Sequence, residues 1–343
     1  MKRIIFPVLL SLLLAVVSCE KKDNDPRLVI ITFDGLRWVE LFGGADSTLT
    51  DRTEPRDSIF PFIWSYVPEH GYLLGNRLLG SKVDMSNRFW FSYPGYSEIF
   101  CGYADDGRIT SNDAVPNPNT SVLEVAGRDP RYAGRVMVYA SWRQVKHAVG
   151  CERGVIPGSS AYDPGLSDTE FTRLLDKMQE GMPRIWGGER FDAFTYAYAL
   201  ESLRKDHPKV LYVSLGETDE WAHARRYDRY LSSARATDAF IRGIVETCEA
   251  DPFYKGRTTY LVTTDHGRGY GNDFPLHGDG SPGSGETFFL AFGRGIPVLG
   301  EVSDAPDYKN RQIAATIAEI LDIDFVPDNG IRQEAIHPER PIE

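Results

Sequence analysis

The sequence predicts an α/β domain with a mainly parallel central sheet flanked by helices, and two observations lead there. Short apolar runs rich in β-branched residues recur without polar alternation, as in strands covered on both faces. Stretches of helical periodicity separate them, and such alternation assembles parallel sheets. The runs are 28–33 (LVIITF), 135–140 (RVMVYA), 209–215 (KVLYVSL), 258–263 (TTYLVT) and 287–292 (TFFLAF). The helical stretches are 167–179, 191–205, 227–250 and 310–321. Two loop-rich segments, 43–57 and 102–119, interrupt the alternation without ending it. They read as insertions in one domain over 28–330, with a C-terminal tail at 331–343.

Composition narrows the function. The net charge of −11 gives no general attraction for nucleic acid. An anionic substrate would need local positive charge, and a bound metal supplies it. Lys2 and Arg3 precede an apolar run, 4–17, that is short for a membrane span and has the layout of an export signal. Its end, Val16-Val17-Ser18-Cys19, resembles the lipobox of bacterial lipoproteins. That resemblance implies a signal peptide over 1–18, an acylated Cys19, a polar tether over 19–27, and a protein lipid-anchored to the cell envelope on its periplasmic or outer surface. The other reading is a plain signal peptide with an incidental cysteine. Cys101, Cys151 and Cys248 remain, an odd number that leaves at least one thiol free.

Three expected strand ends carry similar side chains. The first run stops at Asp34-Gly35. The third leads into GETDEWAH, where Asp219 and His223 stand four apart and face one way on a helical turn. The fourth leads into Asp265, His266 and Gly267, and His277 follows in a Gly/Pro-rich loop. Each has a plain alternative: a turn, a solvated helix face, an exposed histidine. In a parallel sheet, however, these ends lie along one edge, where ligands bind. Carboxylate mixed with imidazole favours zinc, with manganese possible. Ser92 is the candidate nucleophile. It stands ahead of Pro94-Gly95 and an expected short helix, 96–101, whose free N–H groups attract anions. Ser97 is its rival, inside that helix and more suited to a structural role.

In order, ITFDGLRW, SYPGYSEIFCG, ETDEWAH, TTDHGRG and PLHG resemble the alkaline phosphatase superfamily over nearly the whole mature chain. The nucleotide pyrophosphatase/phosphodiesterase and sulfatase branches are the nearest in pattern, and both alignments select Ser92. The resemblance implies two divalent ions, one held by Asp219, His223 and His277. The other would be held by Asp34, Asp265 and His266, with Ser92 oxygen as a further ligand. It also implies hydrolysis of a phosphoric ester, mono- or diester, through a phosphoserine. A sulfatase would need formylglycine in place of Ser92, and the arginine of that maturation motif is Tyr96 here. The interval from Ser92 to Asp219 is too short for the extra domain of the cofactor-independent phosphoglycerate mutases. Arg37, Arg143 and Arg268 are candidates for phosphate contact. A catalytically inactive, ligand-binding surface lipoprotein is the reading from another class.

Overall fold

The computed structural model describes residues 23–338. The expected signal peptide, Cys19, the start of the tether and residues 339–343 lie outside the described residues. Among the described residues, no helix is long and apolar enough to cross a membrane.

The first apolar run becomes the strand Arg27–Phe33, pairing in parallel with Val210–Leu215 on one side and Thr258–Thr264 on the other. These three form the middle of an eight-stranded sheet. Beyond Val210–Leu215 come Val136–Ala140 and Gly158–Ser160; beyond Thr258–Thr264 come Phe289–Gly293, Gly71–Leu74 and Gly300–Glu301. Only Phe289–Gly293 runs against the rest.

Alternating side chains of the central strands enter two separate cores. Val29, Ile31 and Phe33 join Leu211, Val213 and Val262 under the helices Pro61–His70, Asp192–Lys205 and Tyr227–Ala250. Leu28, Ile30, Val210, Tyr212 and Leu261 face Ser92–Cys101, Val122–Arg128 and Ile313–Leu321. Each fully buried aliphatic side chain contributes about 1.5–3 kcal/mol relative to exposure. The central strands therefore have no alternative position, and their ends are fixed in register.

Several boundaries differ from expectation. The run 287–292 divides into Glu286–Thr287, in a small three-stranded sheet, and Phe289–Gly293. The stretch 167–179 becomes a helix only at Glu170, because the Thr169 hydroxyl accepts from Thr172 N–H at 3.0 Å and caps it. The start of 310–321 is a turn of 3₁₀ helix, Asn310–Gln312, before Ile313–Leu321. The helix expected over 96–101 begins at Ser92 and spans ten residues. Pro94 does not delay it, since in a first turn the missing proline N–H has no helical carbonyl to meet.

That helix lies against the end of Thr258–Thr264. A Cβ on Gly95 would stand 2.5 Å from Asp265 O and 3.1 Å from Asp265 C, so backbone meets backbone there. Gly95→Ala is expected to cost about 1–3 kcal/mol by overpacking. The loss should appear as a lower guanidinium midpoint with unchanged m-value; an unchanged midpoint would show that the helix is free to move away.

Candidate active site

The parallel register brings the three strand ends to one edge. Asp34 N–H donates to Leu215 O at 2.9 Å, and the Thr218 hydroxyl donates to Asp34 O at 2.5 Å. The first strand end is thereby tied to the helix Glu217–His223, which carries Asp219. Gly35 turns the chain away with φ +60°, and its N–H donates to Asp265 Oδ1 at 3.0 Å. A Cβ here would lie 2.7 Å from both Asp219 Oδ1 and Arg268 Nη1. Glycine is needed for the turn and for the space.

The six candidate ligands form one cluster in two groups. Asp219, His223 and His277 offer ligand atoms within 4.8 Å of one another, and so do Asp34, Asp265 and His266. His223 Nε2 lies 3.1 Å from Asp219 Oδ2 and 3.0 Å from His277 Nε2. The groups adjoin, with His266 Nε2 3.8 Å from Asp219 Oδ1. His266 Nδ1 donates to Gly267 O at 2.7 Å, which fixes the neutral tautomer and leaves a lone pair on Nε2. That nitrogen faces Ser92 Oγ at 3.2 Å and Asp34 Oδ1 at 3.3 Å.

The donor set fits a divalent cation. Asp265 is wholly buried, and its Oδ2 has no hydrogen-bond partner. Burial, and then the charge of Asp34, pushes Asp265 well above the usual carboxylate range; burial and Asp219 do the same to Asp34. Such carboxylates are costly to ionise unless a cation joins them. Burial lowers His266 to about 4 and His277 to about 2, holding both imidazoles in the neutral, ligating form.

Two of the three candidate arginines are committed internally. Arg268 is buried, donating to Phe274 O at 2.9 Å, to Pro275 O at 2.8 Å and to Asp219 Oδ1. Burial would raise Asp219, but Arg268 and His223 outweigh it and hold its pKa well below the usual range. Arg37 is buried against Glu40 and Gly269 O. Only Arg143 is exposed, on the loop after Val136–Ala140.

Ser92 opens its helix, 4% exposed, with Oγ 3.4 Å from Asp34 Oδ1. The expected cradle of free N–H groups is smaller than the sequence suggested. Tyr93 N–H already donates to Asn112 Oδ1 at 2.8 Å, Pro94 has none, and Gly95 N–H returns to Phe91 O. The Ser92 N–H is the donor that remains. Ser97 accepts from Asn117 Nδ2 at 2.9 Å, away from the cluster.

Sequence reasoning missed two side chains of this helix. Tyr96 donates to Asp34 Oδ2 at 3.0 Å and accepts from the Ser214 hydroxyl at 3.1 Å, which orients the carboxylate. Glu98, wholly buried, accepts from the N–H groups of Ser86 at 2.7 Å, Asn87 at 2.8 Å and Arg311 at 3.1 Å, locking the loop before Ser92. A one-turn spacing from Ser92 was the signal for Tyr96; nothing local marked Glu98. It also missed Glu189, buried near the cluster and pushed well above the carboxylate range by burial and then by Glu220.

Comparison with solved structures gives the architecture. Wild-type alkaline phosphatase PafA superposes with a TM-score of 0.60 at 11% identity, over 90% of this chain and 98% of that one. The chain has the alkaline phosphatase fold. Murine ectonucleotide pyrophosphatase/phosphodiesterase 5 gives 0.55 at 12% identity, over 90% and 98%. A putative sulfatase from Bacteroides thetaiotaomicron gives 0.59 at 10%, over 90% and 73%. By sequence, the chain is similar to GPI ethanolamine phosphate transferase 1 of Gibberella zeae, 25% identical over 90% of this chain and 32% of that protein. The Neurospora crassa protein of the same name is 26% identical over 82% and 27%. The chain thus spans a third or less of these relatives. No family model matches it.

Metal content tests the cluster. Equilibrium dialysis against zinc or manganese should give about two ions per chain for the wild type and about one for either Asp265→Asn or His277→Ala. A wild-type chain that retains none would remove the cations from the account.

Proposed function

We propose that this chain is a metal-dependent enzyme that cleaves phosphoric esters with Ser92 as nucleophile. One observation carries the reading: Ser92 Oγ, at the start of a helix, lies 3.4 Å from Asp34 and 3.2 Å from His266, where the two candidate cation groups adjoin. Asp34, Asp265 and His266 would hold one divalent ion, zinc or manganese by donor chemistry, and Asp219, His223 and His277 the other. Bound there, the pair would lower the pKa of a hydroxyl and offset charge on the phosphoryl oxygens.

The protein's own residues prepare the attack. Tyr96 and the helix geometry hold Asp34 and Ser92 in mutual register. His266 Nε2, the atom that would hold an ion, lies 3.2 Å from the hydroxyl, so an ion bound there would adjoin Ser92 Oγ. The Ser92 hydroxyl gives up its proton to solvent, and the bond from Oγ to phosphorus forms as the ester P–O bond opens opposite it. The departing oxygen takes a proton from solvent; water or an alcohol then loses a proton and bonds to phosphorus, the Ser92 Oγ–P bond breaks, and Oγ regains a proton. Water makes the enzyme a hydrolase, our first reading. An alcohol makes it a transferase, the activity named for the sequence relatives, which align along most of this chain. Sulfate ester hydrolysis is disfavoured because the Tyr96 hydroxyl, bonded to Asp34, takes the place of the maturation arginine.

We also propose that residues 1–18 direct export, that Cys19 is lipidated and anchors the protein to the envelope through the tether 19–27, and that residues 28–330 are the catalytic domain. The first nineteen residues support the anchor, and mass spectrometry of the mature N-terminus tests it.

Ser92→Ala should lower kcat/KM for an aryl phosphate or aryl phosphodiester by about 10³-fold or more, with chelation having a similar effect. Acid-quenched wild type should yield a Ser92 peptide bearing one phosphoryl group. A peptide about two mass units lighter than serine predicts would carry the sulfatase reading instead. Full turnover in Ser92→Ala would sink the proposal.

A further inference from the structure

One helix end carries a strain that the fold's own contacts do not explain. The helix Glu217–His223 closes with Arg226 N–H donating to Trp221 O and Arg225 N–H to Ala222 O, each at 2.9 Å. These are the paired bonds of a Schellman motif. Arg225 takes the left-handed position of that motif, with φ +56°, where glycine is favoured because a Cβ crowds the backbone. His207 and Asp322 hold the same conformation at the ends of Asp192–Lys205 and Ile313–Leu321, at φ +51° and +52°. Their side chains account for it: His207 Nε2 meets Asp251 Oδ2 at 2.9 Å, and Asp322 Oδ2 meets Arg131 Nη1 at 3.2 Å. The exposed Arg225 guanidinium has no such partner among the described residues. The helix dipole does not require it either, since Arg226 beside it already brings a cation to that terminus.

Arg225 lines a cavity of about 610 Å³, shared with the loop 49–54 and the helix Tyr227–Ala250. That is the size of a small-molecule pocket. Arg52 lines it from the loop, and its guanidinium also has no partner among the described residues. The acids of the lining are already committed. Glu54 accepts from Arg235, whose Nε donates to Ser58 O at 3.2 Å. Asp228 accepts from Arg226 at 2.9 and 2.7 Å. Leu49 and Leu231 add apolar surface. In a chain of net charge −11, two uncompensated guanidinium groups on one cavity reverse the local sign. Arg225 is also two residues beyond His223, the most exposed of the candidate cation ligands.

We propose that Arg52 and Arg225 form a binding site for a small organic anion, a carboxylate, sulfonate or phosphate carried on an apolar body. The left-handed arginine is kept at the helix end because its side chain meets this ligand, as those of His207 and Asp322 meet their protein partners. The anion is either a remote group of the molecule that reacts at Ser92 or a separate ligand, and the test distinguishes the two. The site stands whether or not Ser92 is the nucleophile.

Calorimetry tests it with meta-benzenedisulfonate and its neutral counterpart, meta-benzenedisulfonamide. The wild type should bind the disulfonate about fivefold or more tightly, the scale of an exposed ion contact. Arg225→Gly and Arg52→Ala should each remove most of that preference. Arg229→Ala, which takes the same charge from outside the cavity, should keep it. Arg225→Gly should also melt no lower than the wild type, since glycine suits the left-handed position. No wild-type preference, a preference that survives both cavity substitutions, or an equal loss in Arg229→Ala overturns the proposal. So does Arg225→Gly melting lower with the preference intact, since the arginine would then serve the fold. If it melts lower and also loses the preference, Arg52→Ala decides alone. The source of the anion is read in Ser92→Ala saturated with an aryl phosphodiester that bears a carboxylate. Lost disulfonate binding there marks a remote group of the substrate, unchanged binding marks a separate ligand, and either supports the site.

Discussion

Negative charge forced out of water at one sheet edge governs this molecule. Asp34, Asp219 and Asp265 converge there with the buried imidazole of His266 and the part-buried one of His277, both held neutral, and Arg268, a permanent cation, is bonded to Asp219. The Nε2 lone pair of His266 points at Asp34 Oδ1 across 3.3 Å, acceptor against acceptor. Such an arrangement is stable only where cations intervene or protons remain on the acids. The fold tolerates it because the hydrophobic faces of the central strands fix their register independently of what happens at their ends.

The consequences reach outward in sequence-specific ways. Gly35 is required because any side chain would enter the space between Asp219 and Arg268. Gly95 is required because the helix of Ser92 must touch the Asp265 backbone to bring the hydroxyl within reach. Tyr96 restrains the one carboxylate that both Ser92 and His266 face, and Glu98 ties down the loop that delivers the serine. The geometry around Ser92 is thus set by packing and by hydrogen bonds between separate segments of the chain.

Much of this was legible because burial writes itself into composition. Arg27–Phe33, Val210–Leu215 and Thr258–Thr264 are covered on both faces, so their apolar runs gave the ends at which the acids and histidines gather. Gly158–Ser160 and Gly71–Leu74 were illegible: the first is a short edge strand of small residues, and the second follows the helix Pro61–His70 without a break. The start of the Ser92 helix was misplaced because proline and glycine in a first turn resemble a loop. Tyr96 and Glu189 escaped notice for a different reason. A tyrosine and a glutamate are ordinary surface residues until the fold supplies a partner 62 positions away for one and withholds a partner from the other.

The two cation groups are not equivalent, and the difference bears on what accepts the phosphoryl group. Asp34, Asp265 and His266 are sealed inside, whereas the His223 side chain is 44% exposed and those of Asp219 and His277 about 15%. Ser92 stands at the sealed group, so in the proposed mechanism the second reactant would arrive from the open one. Under the proposed mechanism, hydrolase and transferase share every buried residue. They differ only in whether the surface beside His223 and His277 admits water freely or is covered by an acceptor that excludes it. Similarity to transferases and to phosphatases along the same stretch of chain is therefore no contradiction. Under that proposal the buried half of the site would determine that phosphorus is attacked, and the exposed half what receives it.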